Sequence, residues 1–158
     1  MKKYKNIIKS LNKKEKNYMK IYILNKDLGN CSNFLFDIKL KKEESRAKSK
    51  LMKLINRKHE EYVADIKALT KEYAELDEAG NPIPLNETMY KVTENMSIEC
   101  QNEVNKLGKE VAIIEGGEYV NQFKTIKTVL ENYDEEMEGF KAEAYDVLLD
   151  AFEEAKIK

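Results

Sequence analysis

The chain is 158 residues long, 36% charged and 42% apolar, with two Pro, six Gly, one His, no Trp and a formal net charge of −1. No run nears the ~18 apolar residues of a membrane span, the composition is not that of a disordered chain, and Cys31 and Cys100, single, far apart and without a CxxC, read as two reduced thiols rather than a disulfide framework. The near-zero total hides two opposed halves: residues 1–58 carry 18 Lys/Arg against 5 Asp/Glu, and residues 59–158 carry 10 against 24.

Residues 1–18 hold seven Lys, one Glu and little to bury, and read as a basic N-terminal extension. Ile7, Ile8 and Leu11 are too sparse for a signal-peptide core, so a cytoplasmic protein is expected. The pattern changes at Met19, which is the expected biological start, with residues 1–18 as upstream-read, non-native sequence or a disordered basic tail and 19–158 as one helical domain. Ile21–Leu24 is a short β-prone run. Asn25 is placed to cap a helix starting at Lys26, whose apolar face is Leu28, Cys31, Leu35 and Ile38, with Phe34 beside them. Gly29 weakens that helix, and the charged stretch 39–44 breaks or bends the chain.

Ser45 to Leu76 carries the strongest helix signal. Met52, Ile55, His59, Tyr62, Ile66, Leu69, Tyr73 and Leu76 step by threes and fours, a heptad-like seam of coiled-coil type. Such a helix needs its seam covered. Gly80, Pro82 and Pro84 end it and reverse the chain. A second helix, about Asn86 to Glu110, presents Met89, Val92, Met96, Cys100, Val104 and Leu107, and is the natural antiparallel partner. Val111–Ile114 is a helix end or a strand; if a strand, Ile21–Leu24 is its mate. Further helices are expected over Tyr119–Tyr133 and Phe140–Ala155. The predicted fold is mainly α: a long antiparallel helical hairpin with shorter packing helices and room for a small two-stranded β element.

Lys42, Arg46, Lys50, Lys53 and Arg57 share one helical face. Such a face can track phosphates, but no aromatic residues interleave it and the acidic half repels a long nucleic acid. A solvated face, or one docked against the acidic C-terminal segment of the same chain, fits better, with an acidic protein as the remaining alternative. The acidic mirror is Glu131, Asp134, Glu135, Glu136 and Glu138, in a stretch to Glu154 with ten acidic residues and one Lys. Asp134, Glu136, Glu138 and Gly139 imitate the opening of a calcium loop, but Tyr145 stands where the bidentate Glu belongs. Ser45-Arg46-Ala47-Lys48 matches SxxK without its companion motifs and reads as a helix N-cap. His59 points away from Glu60 and Glu61 on a helix and reads as a half-buried packing residue, bonded to a neighbour. Gly116-Gly117 reads as a tight turn needing positive φ. No catalytic, cofactor-binding or metal-binding residue is assigned.

Four blocks occur in order: Phe34-Leu35 with Ile38-Lys39-Leu40-Lys41 and Ser45-Arg46, Glu72-Tyr73-Ala74 leading to Asp77-Glu78-Ala79-Gly80-Asn81-Pro82, Ile114-Glu115-Gly116-Gly117-Glu118-Tyr119, and Ala144-Tyr145 with Asp150-Ala151-Phe152-Glu153. Over about Met19 to Glu154 the chain resembles a small uncharacterised family, a domain of unknown function, of tailed phages and prophages of Gram-positive bacteria. The resemblance implies a phage or prophage origin and carries over no activity and no site residue. The expected function is non-enzymatic: a phage protein acting through protein–protein contact, as a virion or tail-module component or assembly factor, in the host cytoplasm or on the virion. Its partner is a phage structural protein, a host protein, or a second copy joined through the seam. The alternative is an accessory inhibitor that occupies a host protein, such as a defence nuclease, through an acidic helical surface.

Overall fold

A computed structural model describes residues 19–155; the basic segment 1–18 and the last three residues lie outside the described part. The β-prone run forms strand β1, Lys20–Leu24, and its expected mate forms β2, Val111–Glu115. They pair antiparallel with Ile21 opposite Ile114 and Ile23 opposite Ala112. Burial alternates along both strands, so these four residues face the core while Tyr22, Val111 and Ile113 face out.

A single 3-10 turn, Asn25–Asp27, links β1 to helix α1, Leu28–Asp37. Asn25 is therefore not the cap of a helix at Lys26. Its side-chain amide instead donates to the Leu107 carbonyl at 3.0 Å, a tertiary bond that local sequence cannot signal. Leu28, Cys31, Phe34, Leu35 and, just past the helix, Ile38 are buried as their spacing predicts. Gly29 has a packing reason: a Cβ there would sit 3.2 Å from Nε2 of His59, so its absence lets α1 approach the next helix.

Helix α2, Lys42–Glu72, has 31 residues and runs about 46 Å. It begins three residues before Ser45, at Lys42 with φ of +50°. Ser45 is thus not the cap; its N–H already bonds the Lys41 carbonyl. Ala47, Leu51 and Ile55 are fully covered, whereas His59, Tyr62, Ile66, Leu69 and Tyr73 are only half-buried and Leu76 is exposed. The cause is what lies alongside. The first half packs on α1 and on helix α4, Val120–Glu131, while the distal half has helix α3, Ser97–Gly108, and the connecting chain.

The hairpin is present with a shorter second arm than its apolar spacing suggests. Tyr62 abuts Gly108 and the Tyr73 hydroxyl lies 3.5 Å from Glu99, so α2 and α3 run antiparallel. Residues 86–96 are not an α-helix. Three short extended pieces close a ring of backbone bonds instead: Glu75 N–H to the Lys91 carbonyl (2.7 Å), Lys91 N–H to Ile83 (2.8 Å), and Ile83 N–H to Glu75 (2.9 Å). The turns between them are set by side chains. Asp77 Oδ1 accepts from the N–H groups of Ala79 and Asn81, Gly80 has φ of +83°, and Asn86 Oδ1 accepts from Thr88 and Met89. Helical spacing of Met89, Val92 and Met96 loses to this turn chemistry and to two prolines.

Thr70, fully buried, ties this tip to α2. Its Oγ1 accepts from the Tyr90 N–H at 3.1 Å and donates to the Lys67 carbonyl at 3.3 Å. Thr70→Val keeps the shape and strands the Tyr90 N–H, a local cost of about 1–3 kcal/mol. We expect faster proteolytic nicking within residues 77–88, with little change in the main thermal transition; unchanged nicking would count against the tie.

Helix α5, Gly139–Glu154, completes the head of the molecule. The helices make a four-sided ring: α1 and α4 each pack against both α2 and α5, while α2 and α5 share no appreciable contact. The sheet closes one end, β1 on α5 and β2 on α2. Phe34, Phe123 and Phe152 fill the centre.

Candidate functional site

Lys42, Arg46, Lys50, Lys53 and Arg57 all lie exposed along the first half of α2. They project away from Ala47, Leu51 and Ile55, so a single buried stripe aims all five cations outward. Arg57 meets Glu61 at 3.6 Å, one turn on, and Lys50 Nζ stands 5.1 Å over the ring of Tyr119. Glu61 is held below the usual carboxylate range, chiefly by the hydrogen bond from Lys58. Lys42, Arg46 and Lys53 meet no carboxylate among the described residues.

The acidic residues form two groups. Glu131 ends α4, 3.8 Å from Lys127, and Asp134, Glu135, Glu136 and Glu138 follow on the exposed link to α5. The sequence reading missed the second group. Glu143, Asp146, Asp150 and Glu153, at steps of three, four and three, line the outer face of α5 opposite the buried Ala144, Leu148, Ala151 and Phe152. The spacing was the available signal, overshadowed by the denser charge of the link. Among the described residues neither Asp134–Glu138 nor this α5 face pairs with the basic stripe. Intramolecular cancellation between these surfaces is absent there.

The remaining motifs are accounted for locally. Lys48 of the SxxK match turns back to donate to the Ile38 carbonyl at 2.8 Å. Tyr145, at the twelfth calcium-loop position, donates to the Leu130 carbonyl at 2.7 Å, and no three His, Cys, Asp or Glu side chains converge on a metal position among the described residues. His59 is half-buried against Gly29, its ring centroid 6.5 Å from that of Tyr62; packing rather than the expected hydrogen bond holds it among the described residues. Gly117 takes the expected positive φ, +53°, while Gly116 serves close approach, since a Cβ there would meet the Met19 carbonyl at 3.1 Å. A cleft of about 380 Å³ lies between the end of α1 and the acidic link, over Phe34, Tyr133 and Met137. Its rim holds both signs, with Lys141 bonded to Asp37 at 3.1 Å. Burial, with Glu135 alongside, pushes the Tyr133 hydroxyl up.

Cys31 is fully buried and its thiol is pushed up to about 12, by burial first and by Asp27 second; burial also raises Cys100, which is 4% exposed. A protonated, covered thiol is a poor nucleophile. We expect a disulfide reagent at mildly alkaline pH to modify neither thiol in the native protein and both in denaturant. Rapid native labelling of Cys31 would refute the burial argument.

No helix among the described residues is long and apolar enough to cross a membrane. A family model described as "Protein of unknown function (DUF1617)" matches residues 19–158. No curated protein and no solved structure matches the chain. The match begins one residue before β1, takes in every described element and covers well over half of the sequence; the chain belongs to this family of proteins of unknown function.

Proposed function

We propose that the protein is a non-enzymatic interaction protein of tailed phages and prophages of Gram-positive bacteria, acting as a virion or tail-module component or as an assembly factor. The phage origin rests on the resemblance of the ordered sequence blocks. The observation that carries the interaction reading is charge left facing outward: basic α2 and acidic α5 with its preceding link, not neutralised by one another among the described residues. Such faces incur no desolvation cost while they stay in water, and complementary charge on a partner steers association. The protein then works in the host cytoplasm, where virions assemble, or travels on the virion. Nucleic acid is not the intended partner of the basic face, because the acidic surfaces repel a long polyanion.

Affinity capture of the full chain from infected host lysate, at low and high salt with mass spectrometry, tests this. Phage structural proteins are expected as the main partners captured at low salt, weakened but not replaced by host proteins at high salt. The acidic surface favours a second reading, an inhibitor that fills a groove made for nucleic acid on a basic host protein. A host nuclease captured at low salt and lost at high salt would replace the first reading by the second. Failure to enrich any phage or host protein at either salt would remove both.

A further inference from the structure

The two charged stripes match in length and spacing. Lys42, Arg46, Lys50 and Lys53 step by four, four and three along α2; Glu143, Asp146, Asp150 and Glu153 step by three, four and three along α5. At 1.5 Å per residue they extend about 16 Å and 15 Å. Each lies opposite its own helix's buried face, so each points straight out of the head. The ring of helices then fixes where they point. Because α1 and α4 separate α2 from α5, the cationic stripe and the anionic stripe sit on opposite sides of one protomer. They cannot meet within a protomer, but two copies stacked in the same orientation bring them together.

We propose that copies of this chain associate head-to-tail, the α2 stripe of one protomer docking on the α5 stripe of the next. The proposal rests on the interaction reading above and names a second copy as a partner. Charge complementarity selects that occupant: four cations face four carboxylates over nearly equal lengths, the arrangement by which flanking charges choose partners in helical pairs. The contact is heterologous. Each protomer keeps one free face of each sign, so growth continues until a ring closes or a filament forms. A two-fold dimer would require each face to recognise itself, and each face is of one sign. Contacts of this kind weaken with salt.

The test is the mass of the full-length protein in solution by sedimentation velocity and light scattering. At about 0.05 M salt the mass is expected to rise with concentration beyond a dimer, and at about 0.5 M to fall to that of a monomer. Two neutralised variants cap one face each: Arg46→Gln with Lys50→Gln and Lys53→Gln, and Asp146→Asn with Asp150→Asn and Glu153→Gln. All six positions are exposed, so folding should survive, and circular dichroism verifies it. Each variant alone should stay a monomer. Mixed in equal amounts, they retain one good face each and should form a species of twice the monomer mass that grows no further. The inference is overturned if the wild type is monomeric at low salt, stops at a closed dimer, or associates unchanged in either variant, or if the mixture stays monomeric. It is also overturned if assembly requires added duplex DNA and is lost in the α2 variant, which would give that face to nucleic acid. A monomer that still captures a phage or host protein from lysate overturns this inference and leaves the interaction reading standing.

Discussion

Phe123→Ala is expected to destabilise the protein by about 3–5 kcal/mol, the range for truncating a large buried aromatic side chain. Phe123 is fully buried and meets Phe152 edge-on, ring centroids 5.7 Å apart at 63°. It joins α4 to α5 and also presses on the turn at Gly116, where a Cβ would meet its ring at 3.3 Å. Truncation therefore removes apolar burial, an aromatic pair and support for the β2–α4 turn together. Against the roughly 5–15 kcal/mol that holds a domain folded, this is a large fraction. The melting temperature should fall by roughly 10 °C. Phe36→Ala is the control: Phe36 is 73% exposed, and its loss should change stability by less than about 0.5 kcal/mol. Urea unfolding of the two variants checks the contrast; a Phe123→Ala loss below about 1 kcal/mol would mean that the α4–α5 junction is not where the core is held.

The second large effect is with pH. Stability should be level through neutral pH and fall between pH 9 and about 12. An unfolded thiol ionises near 9, whereas Cys31 in the fold keeps its proton to about 12, because burial and then the negative charge of Asp27 oppose the thiolate. In that window the folded state binds more protons than the unfolded one, so raising the pH favours unfolding. The contribution is fully present below 9 and lost as pH climbs to the folded value; at about 1.36 kcal/mol per unit, its ceiling is roughly 4 kcal/mol. Burial raises Tyr62, Tyr73 and Tyr133 in the same direction, which adds to the fall above pH 10. Urea midpoints from pH 7 to pH 11 measure it. Cys31→Ala starts lower at pH 7, because it leaves a small void, but should show a distinctly shallower decline. Equal slopes with and without the thiol would assign the alkaline loss to the tyrosines.

What was legible in the sequence is what short-range periodicity encodes. Leu28, Cys31 and Leu35, then Phe123, Ile126 and Leu130, then Ala144, Leu148 and Phe152 are buried as helical spacing demands, and Ile21–Leu24 pairs with Val111–Ile114 as strand alternation and the Gly-Gly turn suggest. Long helix α2 was equally plain, since the apolar seam from Met52 to Leu76 repeats over about seven turns. Boundaries were less so. Ser45 and Asn25 have capping chemistry, but Lys42 opens α2 and the Ser45 N–H already bonds the Lys41 carbonyl, while Asn25 is claimed by the distant Leu107 and Glu110 carbonyls. Residues 86–96 have helical spacing but form no α-helix, only the 3-10 turn Glu94–Met96, because a three-way ring of backbone bonds with Asp77 and Asn86 at its corners is more favourable there.

The charged surfaces divide in the same way. Sequence alone determined that charge separates along the chain and that Lys42, Arg46, Lys50, Lys53 and Arg57 share a face, because a helix repeats every 3.6 residues whatever surrounds it. Only the tertiary structure decided that the carboxylates of α5 lie across the head from that face. Their separation depends on α1 and α4 packing between α2 and α5, and that order is set by which apolar faces fit together, not by the charges themselves. The half-covered distal seam of α2 has the same origin: the chain specifies an apolar stripe, and only the fold determines how many neighbours reach it.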